Sequence, residues 1–172
     1  MGRVPHARVD MLHDLSGPAG DILLRIILAM LSGLILGLNR WLHHKPAGIR
    51  THSLVAVAAA AAMLLIDNHT GTDAQAHSRV LQGLLTGIGF LGAGVIIREA
   101  SSRHVHGLTT AASLWASALV GAAFGAGHLL LGAVTIAAIM LVLLLGGRIE
   151  NLVGRWFNRP ATPTDADRNQ ET

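Results

Sequence analysis

The sequence predicts an all-α membrane protein with five transmembrane helices, the third of them rich in glycine and central. Three observations lead to this fold class. The 172 residues are 51% hydrophobic and only 13% charged, with a mean hydropathy of +0.50. The apolar residues fall into five separate runs, and the third run combines apolar side chains with closely spaced glycines. This composition is typical of membrane proteins, so the lipid bilayer is the first expected partner.

The five apolar runs give the predicted helices in order. They cover residues 22–38, 51–66, 81–97, 108–126 and 129–145. A hydrocarbon core about 30 Å thick needs roughly 20 helical residues, so we expect several helices to extend beyond their runs. Residues 125–128 separate the last two runs. A tight turn is expected there, because one fused helix would be too long for a single span.

The third run carries its glycines on two sides of the predicted helix. Each glycine costs a water-soluble helix about 1 kcal/mol relative to alanine, whereas in lipid it lets two helix backbones approach closely. We therefore expect this helix to pack between two neighbours at the centre of the bundle. The glycines concerned are Gly83, Gly87, Gly89, Gly92 and Gly94. The pairs Gly33/Gly37 and Gly121/Gly125 offer further close-packing faces, so a homo-oligomer is expected.

The positions of the basic residues predict which way the chain crosses the membrane. Nine of the thirteen Lys and Arg residues lie in the first loop, the third loop and the C-terminal segment: Arg40, Lys45, Arg50, Arg98, Arg103, Arg148, Arg155, Arg159 and Arg168. The positive-inside rule places these segments in the cytoplasm and the N-terminus outside. The expected organisation is an extracytoplasmic segment (1–20) that is not a cleaved signal peptide, a five-helix membrane domain (21–147), and a cytoplasmic interfacial segment with a disordered tail (148–172).

Two groups of polar residues are candidates for a functional role. Asp21 and Arg25 lie one helical turn apart near the outer end of the first span. An arginine at membrane depth is costly unless it is paired. The simpler interpretation is a salt bridge, and the alternative is a charge that lines a pathway with Gln82 and Thr86.

The second group lies on the predicted cytoplasmic side. The second and fourth helices both begin there after a glycine, and Thr51 and Thr109 suit the N-cap position. Helix N-termini attract anions. We therefore expect a site for an anion or an acidic partner, and the alternative is that these residues only cap helices and set the topology. The residues of this site are Arg40, Arg50, Thr51, Arg98, Thr109 and Thr110.

Resident metal ions, cofactors, enzymatic catalysis and nucleic acid are not expected. The chain has no cysteine, and its ten acidic residues avoid the middle of the spans. The ten histidines do not place two ligands on one helical face with a carboxylate, so they are expected to be solvated or to respond to pH. Ser113 and Ser117 share a helical face but belong to no nucleophile–base–acid set. The basic residues lie between apolar runs and aromatic residues are few, which favours lipid over nucleic acid.

Three motifs in a fixed order carry a resemblance to a known family. They are PAGIRTH at residues 46–52, QG at 82–83 followed by GIGFLGAG at 87–94, and GLTTAASLW at 107–115, preceded by Arg25 in the first span. With them, residues 21–148 resemble the MgtC/SapB family of bacterial inner-membrane proteins. The sequence departs from the family at residues 37–41, GLNRW, where Asn39 and Trp41 replace two glutamates. This departure calls into question any family role that depends on those acids.

The resemblance implies a function as well as a fold. Family members are linked to growth in scarce magnesium and to survival of pathogens inside host cells, and one acts as a brake on the F-type ATP synthase. We therefore expect a non-enzymatic inner-membrane regulator that modulates another membrane complex such as that synthase. The alternatives are a transporter or channel for Mg²⁺ or another cation, and a scaffold for lipid or the cell envelope.

Overall fold

The computed structural model describes residues 17–70, 73–98 and 105–157. In this part of the chain there are five helices: α1 (Pro18–Leu42), α2 (Ile49–Thr70), α3 (Ala74–Val95), α4 (Leu108–Gly125) and α5 (Leu129–Phe157). Two short strands, β1 (Ile97–Arg98) and β2 (Val105–His106), pair antiparallel between α3 and α4. Each helix contains all or most of one of the five apolar runs, so the all-α prediction is confirmed. The two-residue strands were not predicted.

Four of the described helices are long and apolar enough to cross a membrane. They are α1, α4, the part of α2 at Ile49–Asp67 and the part of α5 at Leu129–Ile149. Helix α3 is not among them. Its first turns carry polar residues such as Gln75 and Arg79, and its glycines add little hydropathy. The chain is therefore a membrane protein, and four of its described helices have the length and hydropathy of a span.

The chain divides into two compact units. The first is Met1–Ile139 and holds α1 to α4 with the start of α5. The second is Met140–Thr172, in which α5 continues without a break through Gly146 and Gly147 to Phe157. The predicted interfacial segment at 148 thus begins as a continuation of the last helix. The bundle described below belongs to the first unit.

Helix α4 lies at the centre of this bundle. It contributes Leu114, Ala118 and Ala122 to an apolar cluster that also contains residues of α2 and α3. On another side it contributes Val120 and Phe124 to a cluster with Ala29 of α1 and Ala60 of α2. These buried contacts on both sides hold α4 between its neighbours.

Glycines bring α1 and α4 into close contact with α2. Gly121 and Gly125 of α4 lie directly against the backbone of Ala56 and Ala60. On α1, a Cβ at Gly33 would lie 2.6 Å from the backbone oxygen of His52, and a Cβ at Gly37 would lie 2.5 Å from the Cα of Ile49. The two glycine pairs expected to pack between copies are thus used within one chain.

The prediction that the glycine-rich third helix is central is wrong. Helix α3 lies at the edge of the bundle, where Ile88 and Gly92 are its buried residues. Gly92 faces Ala111 of α4, at 3.5 Å from an added Cβ. The other four glycines, Gly83, Gly87, Gly89 and Gly94, have nothing within 4 Å of an added Cβ. Glycine permits close approach without requiring it, and here α4 combines small residues with Leu114 and Phe124 to fill the centre.

The turn between α4 and α5 is tight, as predicted. Gly127 adopts the left-handed conformation with φ +78. The N–H of Gly127 donates to the carbonyl of Phe124 at 3.0 Å, and that of His128 donates to Ala123 at 2.9 Å. This pair of hydrogen bonds is a Schellman motif, which satisfies carbonyls at the helix end and requires a residue that tolerates positive φ.

Candidate functional site

The bundle has two chemically distinct ends. Lys45 and Pro46 of the first loop line a pocket together with His106 and Gly107, so the first and third loops share one end, as predicted. We call this the basic end (residues 40–50 and 105–110). The other end, marked by Asp21, Asp67 and Asp73, is called the acidic end. Which end faces the cytoplasm stays a prediction from the positive-inside rule.

The pocket at the basic end has a volume of about 460 Å³. It lies between the C-terminus of α1 and the N-terminus of α4. Its polar lining comes from Arg40, His44, Lys45, His106, Thr109 and Thr110. The described lining is thus basic or neutral and holds no carboxylate.

Arg40 is the most unusual residue of this pocket. It is only 4% exposed. Its Nη2 donates to the hydroxyl of Thr110 at 2.9 Å, while its Nε–H has no acceptor in the part of the chain that the structure describes. Among the described residues no carboxylate forms an ion pair with it. A guanidinium has five N–H donors, so this buried charge is under-satisfied.

The N-terminus of α4 forms the opposite wall. Gly107 precedes the helix with φ +92 and provides no side-chain cap. An added Cβ at Gly107 would overlap the carbonyl oxygen of Val95, so glycine is required there for space as well as for conformation. The first amides of a helix have no partner within it. Free N–H groups and a partial positive charge therefore face the same pocket as Arg40.

The predicted N-cap threonines do not cap their helices. Helix α4 begins at Leu108, which places Thr109 at its second residue. Helix α2 begins at Ile49, so Thr51 lies inside its first turn. Both threonines are exposed. The glycines before the two helices take the positions that we assigned to threonine.

The structure brings together half of the predicted anion site. Arg40, Thr109 and Thr110 line the pocket, with Lys45 beside them. Arg50 is exposed and lies outside the lining. Arg98 lies in β1, and its side chain is outside the described residues, as is all of Arg103. Asn39 and Trp41 are the two residues at which the sequence departs from the family pattern. Asn39 is buried, and its backbone carbonyl accepts from Nδ1 of His43 at 2.7 Å. Trp41 is exposed.

A buried polar network adjoins this site. His52 is fully buried, and its Nε2 contacts the hydroxyl of Ser113 at 3.0 Å. Its Nδ1 donates to the carbonyl of Gly48 at 2.9 Å, and the Ser117 hydroxyl donates to the carbonyl of His52 at 3.0 Å. The expectation that the histidines are solvated is therefore wrong for His52. Sequence reasoning noted that Ser113 and Ser117 share a face but missed the contact with His52, since it joins residues 61 positions apart. The network fixes α2 against α4.

Arg25 organises the acidic end. It forms the predicted salt bridge with Asp21 at 2.7 Å and a second with Asp67 of α2 at 3.1 Å. It also donates to the carbonyl of Gly125, at the C-terminus of α4, at 3.1 Å. The salt-bridge interpretation is confirmed and extended, because a cation at a helix C-terminus also complements the helix dipole.

The alternative pathway residues do not join Arg25. Gln82 and Thr86 are exposed on α3. The Gln82 amide lies 3.4 Å from the Ser78 hydroxyl, and the Thr86 hydroxyl donates to the carbonyl of Gln82 at 2.9 Å. Both residues thus form their described hydrogen bonds within their own helix.

His77 adds a titratable group to the acidic end. Its Nδ1 donates to the carbonyl of Asp73 at 2.9 Å, and its Nε2 donates to the Asp67 carboxylate at 2.8 Å. These interactions, the backbone hydrogen bond first, raise the pKa of His77 above its usual 6.5. Asp67, His77 and His128 line a pocket of about 600 Å³. In the part of the chain that the structure describes, no three His, Cys, Asp or Glu residues are placed to hold a metal ion.

Comparison with known proteins gives the family. The model of the MgtC family matches residues 26–152, which is most of the chain. The chain belongs to the MgtC family. It is 41% identical to protein SrpB of Synechococcus elongatus over 143 residues, covering 76% of this chain and 78% of SrpB. No solved structure matches the chain significantly.

The chain is also similar to proteins named MgtC. It is 42% identical to MgtC of Salmonella typhimurium over 106 residues, which is 62% of this chain and 44% of that protein. With MgtC of Brucella abortus it shares 42% over 114 residues, which is 66% of this chain and 46% of that protein. The match thus spans less than half the length of these MgtC relatives, so their activities and partners are proposals for this chain.

Proposed function

We propose that the protein is a non-enzymatic inner-membrane regulator, linked to magnesium homeostasis or virulence, that modulates another membrane complex. By family resemblance we propose the F-type ATP synthase as that complex. The observation that supports regulation over transport is the placement of Arg25 and Arg40, two positive charges inside the first span.

The charges of the first span disfavour a path for cations. Arg25 forms ion pairs with Asp21 and Asp67, so the negative charge of these acids is already balanced. Arg40 has no such neutralisation among the described residues. A Mg²⁺ ion needs oxygen ligands and retained water, and a positive charge in a medium of low dielectric constant repels it.

The basic end offers a surface for a partner. Arg50 and Thr51 are exposed at the start of α2, and Arg50 forms no ion pair among the described residues. Lys45, also exposed, lies close by in the first loop. A surface of this charge fits an acidic face of a neighbouring complex.

Cation transport is the second candidate, and one observation favours it. The pocket at the acidic end is large enough for a hydrated ion and is lined by Asp67 and His128. Its carboxylate is already shared between Arg25 and His77, however, so an incoming cation would have to displace both.

Flux through sealed vesicles separates the two candidates. Purified protein is reconstituted with a Mg²⁺-sensitive dye inside, and a Mg²⁺ gradient is applied. If the protein is a regulator, we expect the dye signal of these vesicles to equal that of vesicles without protein. Flux well above that background that disappears with Gln82→Leu or Thr86→Val would overturn the proposal in favour of a channel.

Capture of the partner tests the regulator directly. Tagged protein is cross-linked in membranes and purified, and the recovered F-type ATP synthase is measured. We expect Arg50→Ala combined with Arg98→Ala to reduce recovery several-fold, since rim charges steer association. Arg79→Ala is the matched control, because it removes an exposed charge from the acidic end of α3. The proposal would be contradicted if the unsubstituted protein, the double variant and Arg79→Ala recovered equal amounts of the synthase. It would also be contradicted if the unsubstituted protein recovered none.

A further inference from the structure

The pocket at the basic end combines two positive features that face each other. Arg40 is buried at the C-terminus of α1 and bonds to Thr110 in the first turn of α4. The N-terminus of α4 adds unpaired amides and the positive end of a helix dipole. Among the described residues no carboxylate balances these charges. The negative end of the α1 dipole, in whose last turn Arg40 lies, offsets about half a unit charge, so the pocket keeps a positive charge.

We propose that this pocket binds a phosphate group, with Arg40, Lys45 and the N-terminal amides of α4 as its ligands. The inference is independent of the proposed function. Arg40 lines the pocket, and among the described residues its Nε–H has no acceptor, so the guanidinium keeps a donor for a ligand. A phosphate supplies several acceptor oxygens and a negative charge, and arginine matches its geometry with two parallel donors.

The size and surroundings of the pocket indicate an esterified phosphate. Its volume of about 460 Å³ falls in the range of small-molecule sites and exceeds what a bare anion fills. Beside it, Trp41 and Leu42 are each 60% exposed and share a second pocket with His44 and Lys45. An apolar surface next to a phosphate site fits a phospholipid, and a soluble phosphate monoester shares the same headgroup chemistry.

Binding would connect elements that are distant in the chain. A phosphate held between Arg40 and the amides of α4 bridges the end of α1 to the start of α4, with Lys45 closing the site from the first loop. It would satisfy the donors left open in α1 and α4 at once. We therefore expect the bound protein to be more resistant to thermal unfolding.

Calorimetry with defined probes tests the proposal. Protein in a maltoside detergent, which contains no phosphate, is titrated with glycerol phosphate and separately with short-chain phosphatidic acid. Chloride at matched ionic strength is the control anion. Saturable binding of both probes supports a site for soluble phosphate monoesters, and binding of phosphatidic acid alone supports a lipid headgroup as the source. No saturable binding of either probe overturns the proposal.

Variants locate the binding within the molecule. Lys45→Gln and Arg40→Lys should each weaken binding about tenfold, the effect of losing a hydrogen bond to a charged group. Arg50→Gln, which removes an exposed charge outside the pocket at the same end, should bind as the unsubstituted protein does.

The proposal is contradicted if the variants inside and outside the pocket lose phosphate binding to the same extent. Equal weakening by Arg50→Gln and Lys45→Gln would show that surface charge alone attracts the probe. The comparison holds even if Arg40→Lys fails to fold, because Lys45 is exposed and its substitution leaves the core unchanged.

Discussion

Two arginines inside the first span show how residue-scale chemistry divides into a predictable and an unpredictable part. The Asp21–Arg25 salt bridge follows from spacing, because residues four apart lie on one face of a helix. The contact from Arg40 to Thr110 joins residues 70 positions apart, and nothing local in the sequence encodes it. The position of Arg25 in the first span was therefore readable from the sequence. Arg40 was assigned to the first loop, and the structure places it, buried, in the last turn of α1.

His77 makes stability at the acidic end depend on pH. Its pKa is raised above the usual 6.5, so the interaction with Asp67 and Asp73 stabilises the fold fully below about pH 6.5, the value in the unfolded chain. That stabilisation is lost as the pH rises through the higher folded pKa. We expect the melting temperature of the purified protein to fall over this interval.

Asp67→Asn is the variant that checks this assignment. It removes one acceptor of His77 and one partner of Arg25. It should lower stability overall and reduce the pH dependence, of which the backbone hydrogen bond to Asp73 keeps a part. His128→Gln, which changes another histidine of the same pocket, should keep the dependence. A pH profile that Asp67→Asn leaves unchanged would rule out the ion pair as its cause.

At the scale of helices, the positions of the helices along the chain were predicted better than their N-cap residues or the helices that they pack against. The apolar runs located all five helices, because length and hydropathy are local properties. The caps were misassigned because glycine in the left-handed conformation at Gly107 starts α4 without a hydroxyl. The neighbours of α3 were misassigned because sequence does not distinguish a glycine that contacts another helix from one that does not. Gly121 and Gly125 contact the backbone of α2, whereas four glycines of α3 have no neighbour within 4 Å of an added Cβ.

Alanine substitutions in the two glycine sets distinguish these roles. Gly121→Ala pushes a Cβ into the backbone of Ala56, and we expect a loss of about 1–3 kcal/mol from overpacking. Gly87→Ala meets open space and should leave stability unchanged or raise it by up to about 1 kcal/mol through helix propensity. Thermal unfolding in detergent measures both. An equal loss at Gly87→Ala would contradict the peripheral position of α3.

At the scale of the whole molecule, the alternation of charge between loops predicted how the ends are composed. The first and third loops do meet at one end, where Lys45 and Gly107 line a single pocket. The pocket itself could not be predicted, because it forms only when folding brings the C-terminus of α1 next to the N-terminus of α4. The same holds for the acidic end, which joins α1, α2 and α3 through Arg25, Asp67 and His77.

The orientation of these two ends in the membrane underlies the proposed function. A regulator whose partner contacts the basic end from the cytoplasm requires that end to face the cytoplasm. The chain contains no cysteine, so a single introduced cysteine reports its own location without background.

Labelling of single cysteines with a membrane-impermeant maleimide on intact spheroplasts is the most direct test. We predict that Gln75→Cys, exposed at the acidic end, is labelled at once, whereas His43→Cys, exposed at the basic end, is labelled only after permeabilisation. Labelling of His43→Cys on intact spheroplasts, with protection of Gln75→Cys, would contradict the account.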